Sequence, residues 1–110
     1  MGAGGTGRAG AIQVACVGDS ITAGYLATTN HTYPQVLQQL LDAKYGTASY
    51  NVMNFGAGGA TVQKHADSPY WNRTQYAQWV NGSYDVIIIM LGTNDAKDPG
   101  NGGAPNWPTN

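Results

Sequence analysis

Three short polar segments of this 110-residue chain carry residue types that can do chemistry together. The first is Gly18-Asp19-Ser20, directly after an apolar run. A serine hydroxyl held on a tight strand-to-helix turn is exposed for nucleophilic attack, and neighbouring backbone N–H groups point into the same space. Asp and Ser are also common turn formers, so capping of the turn is the plain alternative. The second segment is Gly56-Ala57-Gly58-Gly59, where glycine lets a backbone N–H approach a ligand with no Cβ in the way. Such a turn can also cradle a phosphate. The next lysine, Lys64, is not at P-loop spacing, which disfavours a nucleotide. The third is Gly92-Thr93-Asn94-Asp95. An Asn94 amide there can donate to a developing oxyanion while Asp95 orients the turn, and an Asx-turn is the structural alternative. Two histidines, His31 and His65, lie downstream of the first and second segments. Either is a candidate base for Ser20, with His65 ahead of His31; a solvated loop histidine is the alternative for each.

The elements that must position these turns follow from periodicity. Residues 12–17, IQVACV, alternate little, as a strand buried on both faces does. Cys16 within it is expected as a small core residue. Residues 33–45 place Val36, Leu37, Leu40, Leu41 and Tyr45 on one helical stripe. Thr32 suits the N-cap, Pro34 the first turn and Gly46 the stop. Residues 50–55 read as a second strand and 71–80 as a second helix with Tyr76, Trp79 and Val80 on its apolar side. Residues 85–91, DVIIIML, have the composition of a central, doubly buried strand. The order strand, helix, strand, helix, strand is half of a parallel, doubly wound sheet, in which chemistry collects at the carboxyl ends of the strands. The three polar turns are those ends.

Residues 1–10 read as a flexible leader and 11–110 as one domain, with 96–110 as a Pro- and Gly-rich loop or tail. Gly2, Gly4 and Gly7 spell a dinucleotide fingerprint, but no strand precedes them. No apolar segment of signal-peptide length follows the start. Charged residues are 10% of the chain and the net charge is −1, which argues against a nucleic-acid surface. The longest apolar run, 86–91, is far short of the ~20 residues that span a bilayer. One cysteine excludes a disulfide scaffold and disfavours a zinc cluster.

The ordered set of turns resembles the GDSL, or SGNH, hydrolase family. VGDSITAGY is close to its nucleophile motif and LGTNDAK to its Gly-x-Asn-Asp motif. FGAGGAT is similar to its glycine motif, with Gly58 where many members carry a Ser. The resemblance covers residues 12 to about 107, and extends to the family's acetyl-ester, carbohydrate-esterase and lysophospholipase-like members. It implies a flavodoxin-like α/β/α sandwich and ester hydrolysis without a cofactor. It implies Ser20 as nucleophile and an oxyanion hole from the Ser20 N–H, the Gly59 N–H and the Asn94 side chain. Losing one such donor typically costs about 2.7–4 kcal/mol in the barrier. Residues 65–71 look like the substrate-side loop of the sugar-ester members.

Two family features are not found in this sequence. It has no Asp-x-x-His, the motif that carries the family's general base, and it has about three strands where the family has five. The chain therefore resembles the N-terminal half of the family's domain. In the family's strand order, 2-1-3-4-5, the third strand is central; here it becomes an edge, which invites pairing with another chain. The expected partners are a small ester substrate and either a second copy or a C-terminal half. The expected function is serine-dependent hydrolysis of small esters, plausibly sugar acetates. The alternative is a fragment or binding module that keeps the rim without the base. Sequons at Asn30, Asn72 and Asn81 are compatible with secretion.

Overall fold

A strand with apolar side chains on both faces is best buried in the middle of a sheet that is covered on both sides. The chain places its first strand there. In a computed structural model describing residues 10–64, 66 and 68–96, the elements are β1 (Ile12–Gly18), α1 (Ser20–Ala23), α2 (Tyr33–Tyr45), β2 (Tyr50–Gly56), α3 (Thr74–Trp79) and β3 (Val86–Met90). Short 3-10 turns cover Tyr70–Asn72 and Asn94–Ala96. The sheet order is β2-β1-β3 and both pairings are parallel. Val14, Ala15, Cys16 and Val17 are buried, Cys16 as expected of a core residue. The expected leader over 1–9 and tail over 97–110 lie outside the described residues. No helix among the described residues is long and apolar enough to cross a membrane.

The two faces of the sheet separate by residue parity. Ala15, Val17, Met53 and Phe55 face one layer, packed by Tyr70, Trp71, Tyr76, Trp79 and Tyr84. Cys16 faces the other layer, and burial pushes its thiol up. α2 forms as its caps dictate. Thr32 Oγ1 accepts from Gln35 N at 3.3 Å while Gln35 Oε1 accepts from Thr32 N at 3.2 Å, a reciprocal box that satisfies two orphan donors. Gly46, at φ +96°, ends the helix with its N–H on Asp42 O. The apolar stripe is narrower than its spacing suggests, since Leu40 and Tyr45 are exposed.

The second helix is shorter than residues 71–80. Arg73 is extended, with φ −90° and ψ 154°, and splits the segment into the 3-10 turn and α3. The Arg73 side chain reaches back from this break to two acceptors outside the segment.

The sheet's two edges are unlike. Ala57 N donates to Gly18 O, so the odd-numbered N–H groups of this segment face β1 and the even-numbered ones of β2 face outward. Those outward groups are met by side-chain amides. Gln38, on α2, accepts from Val52 N at 2.8 Å and donates to Tyr50 O at 2.9 Å. Asn54 accepts from Gly56 N at 2.9 Å. No such amide meets β3. Asp85 N donates to Gln13 O, which turns the N–H groups of Val86, Ile88 and Met90 away from β1, and no described side chain bonds them. The doubly buried strand that the composition suggests is therefore corrected, and the edge position expected from the strand count is met. β3 is an edge, with Val86, Ile87, Ile89 and Met90 exposed, because no fourth strand covers it among the described residues.

An aromatic column closes the layer under β1 and β2. Tyr70, with none of its surface exposed, donates to Phe55 O at 2.6 Å and accepts from Trp79 Nε1 at 2.9 Å. Burial pushes the Tyr70 phenol up to about 12, with the Trp79 N–H opposing, and burial does the same to Tyr33, with the Thr22 hydroxyl opposing. A phenol raised from 10.0 in this way contributes its full stability below about pH 10. The contribution is lost as pH climbs from about 10 to 12, where the unfolded chain ionises first. The urea midpoint should therefore fall steeply across that window. Tyr70→Phe should remove part of that fall and cost about 1–3 kcal/mol at neutral pH, because Phe55 O and Trp79 Nε1 lose a partner.

Candidate active site

The rim is built where backbone packs on backbone. A Cβ at Gly18 would strike the Thr22 side chain and come within 2.9 Å of Met90 O. A Cβ at Gly56 would strike Ala23 N and lie 2.8 Å from Ala23 Cα. With neither Cβ present, α1 rests directly on the ends of β1 and β2, and Ser20, its first residue, stands at the carboxyl edge of the sheet. Asp19 carries the cap: its carboxylate, buried, accepts from Ile21 N at 3.0 Å. The capping role weighed for Ser20 therefore falls to Asp19. Ser20 Oγ and the Ser20 N–H have no hydrogen-bond partner among the described residues. Gly24, at φ +109°, ends this single turn with its N–H on Ser20 O.

The glycine turn follows β2. Its Gly58 lies beside the serine, since a Cβ on Gly58 would be 4.0 Å from Ser20 Cβ. Gly59 has φ +76° and open space where a Cβ would point, and its N–H has no partner among the described residues. Arg73 Nη1 donates to Gly58 O at 2.8 Å and to Ser68 Oγ at 3.2 Å, so a guanidinium from the next layer clamps the turn.

The third turn is stitched to the second. Asn94 Nδ2 donates to Ala60 O at 3.0 Å, one residue beyond Gly59. Asp95, with none of its surface exposed, accepts from Val62 N at 2.8 Å and from Gln63 N at 2.9 Å. The fold thus brings Ser20 to Gly58, and Asn94 and Asp95 to the strand-like stretch that leaves the glycine turn. It does not bring His31 to them: that ring is exposed and its Nδ1 pairs with Thr29 O at 2.8 Å. His65 lies outside the described residues. Among the described residues, no group of three or more His, Cys, Asp or Glu could hold a metal ion.

Two participants escape a reading of motifs. Arg73 is one of two arginines in the chain, and its scarcity was its one signal. Asp95 was read as orienting its own turn. Its carboxylate instead organises backbone more than thirty residues away.

A three-stranded parallel sheet with helices and with polar turns gathered at its carboxyl edge is an α/β fold of the flavodoxin-like kind. The chain belongs to the GDSL-like lipase/acylhydrolase family, whose model matches residues 16–107. It is also 38% identical over 89 residues to an acetylxylan esterase from Xylanibacter ruminicola, a match covering 79% of this chain and 18% of that enzyme. The chain thus spans about a fifth of the length of the curated relative it matches. No solved structure matches it.

The Asp95 contacts carry a measurable load. Asp95→Ala leaves two backbone N–H groups without acceptors in a buried place, and should lower unfolding stability by about 2–4 kcal/mol. Asp95→Asn, which keeps one acceptor, should recover part of that loss. Urea midpoints of the three proteins check both.

Proposed function

We propose that this chain carries the nucleophile half of an ester-hydrolysing site, with Ser20 as the attacking group. The observation that supports this most directly is the pair of unengaged backbone N–H groups at Ser20 and Gly59, set around a serine hydroxyl with no local bond. Ser20 Oγ attacks the acyl carbonyl carbon, and its proton passes to a base. Charge develops on the carbonyl oxygen, where the Ser20 and Gly59 N–H groups and the Asn94 amide donate. The C–O bond to the alcohol then breaks and the base returns the proton to the leaving oxygen. Water, deprotonated by the same base, attacks the acyl-serine and releases the acid.

His65 is the proposed base within this sequence. It follows the glycine turn by six residues, and Lys64 before it and Ala66 after it belong to the stretch that Asp95 and Trp71 anchor at Val62. The proposed substrates are small acyl esters, above all acetyl groups on sugars, in line with the acetylxylan esterase relative. Ser20→Ala should abolish hydrolysis of a short-chain chromogenic ester while leaving the fold intact. A serine-directed phosphonate should label Ser20 alone. Turnover that survives the substitution would overturn the assignment.

We also propose that β3 pairs with β3 of a second copy. The outward N–H groups of Val86, Ile88 and Met90 and the exposed side chains of Ile87 and Ile89 support this. Ile89 is 58% exposed, so Ile89→Lys is compatible with the fold of one chain but not with a dry interface. Light scattering at micromolar concentration should give a dimer for the wild type and a monomer for Ile89→Lys. A monodisperse wild-type monomer would defeat the pairing.

A further inference from the structure

Lys64, Trp71 and Tyr76 line a cavity of about 350 Å³. The Trp71 and Tyr76 rings stand at 89° with centroids 5.2 Å apart, so they form two walls of a corner. Neither ring is loose. Trp71 Nε1 donates to Val62 O at 2.7 Å, and the indole meets Tyr70 edge-on at 5.6 Å. Tyr76 is held in turn by Tyr70 and Trp79, at 6.1 and 5.7 Å. Both rings are half-buried, so each keeps surface for a ligand. Rigid aromatic walls lose little conformational freedom on binding. The ligand they suit has an apolar face and a polar rim, as a pyranose does: its axial C–H groups lie on an aromatic face while its hydroxyls stay in water.

Lys64 adds a sign. Its ammonium is exposed, and no described carboxylate pairs with it. A cation beside two aromatic walls favours a sugar that carries negative charge, for which a uronic acid carboxylate is the simplest source in a sugar chain. The cavity is also tied to the rim. Val62 accepts from Trp71 through its carbonyl and donates to Asp95 through its N–H. Gly58, beside Ser20, lies only four residues earlier in the chain, a stretch of at most ~14 Å.

We infer that the Lys64–Trp71–Tyr76 cavity is a subsite for a uronic-acid-bearing part of a sugar chain whose esterified residue sits at Ser20. This deepens the reading of the chain as a sugar-ester hydrolase and rests on it. The test uses unesterified xylo-oligosaccharides of one length, with and without a glucuronic acid branch, so that binding is read without turnover. Tryptophan fluorescence and calorimetry on the full chain should show the branched ligand bound about five-fold more tightly, with the preference fading as salt rises. Lys64→Gln should abolish the preference and Lys64→Glu should reverse it. Both replace an exposed side chain with no described partner, so the fold is not at stake. Equal affinity for the two ligands, no binding of either, or a preference that survives in Lys64→Gln would overturn the subsite. Hydrolysis of a chromogenic ester is measured separately. Lys64-dependent binding without turnover would sink the activity and leave the subsite standing, and turnover without the preference would do the reverse.

Discussion

Ser20 reaches the rim because α1 lies on bare backbone. At Gly18 and Gly56 the helix approaches the ends of two adjacent strands more closely than any Cβ permits. The neighbours at Gly56 are main-chain atoms of residues 22 and 23, which cannot turn aside as a flexible side chain can. Everything at the rim is measured from that contact. Asp19 caps the helix that rests there, and Ala57 N docks on Gly18 O beneath it. The glycine turn then passes beside the serine. The two glycines cost conformational entropy in the unfolded chain. The return is a serine lifted clear of the sheet without a long loop to carry it.

Charge is used sparingly, and where it is buried it faces backbone. The chain has six acidic residues. Among the described residues Asp19 and Asp95 are buried, and the bonds they accept come from main-chain N–H groups in α1 and in the stretch after the glycine turn. A buried carboxylate without donors would be costly, by several kcal/mol. With them, it becomes a fixed point from which a turn cannot drift. Arg73 plays the converse part from the opposite layer, with its guanidinium on a carbonyl of the glycine turn. Oxyanion donors work best when they are already in place before charge develops. These long-range ties hold the turns that would carry the proposed donors.

The three strands, α2 and its caps, and the positions of the three polar turns were legible in local signals, whereas the single turn of α1 was read as loop. Thr32, Pro34 and Gly46 each sit where capping chemistry puts them. Periodicity and turn residues are properties of neighbours in sequence, and they read well. What did not read was long-range. The break at Arg73 coincides with side-chain bonds to Gly58 and Ser68, which a propensity reading of residues 71–80 does not contain. Leu40 and Tyr45 lie on the stripe that α2 should bury, yet only part of that stripe has a sheet beneath it. The run at 86–91 has the composition of a central strand because composition reports how apolar a strand is, not how many neighbours it has. At the site, the serine and glycine turns were read correctly as neighbours, while the Asp95 tether and the Arg73 clamp needed three dimensions.

The amides of Gln38 and Asn54 along β2 have a bearing on how far assembly can run. A sheet with two open edges is a monomer for a filament, because each added copy leaves a fresh edge for the next. Here one margin is already occupied by side chains of the same chain, which imitate a neighbouring strand without recruiting one. If β3 pairs as proposed, the pairing uses up the remaining margin and favours a closed pair related by a twofold axis over an open chain of copies. The amides of Gln38 and Asn54 would then oppose growth at the β2 margin.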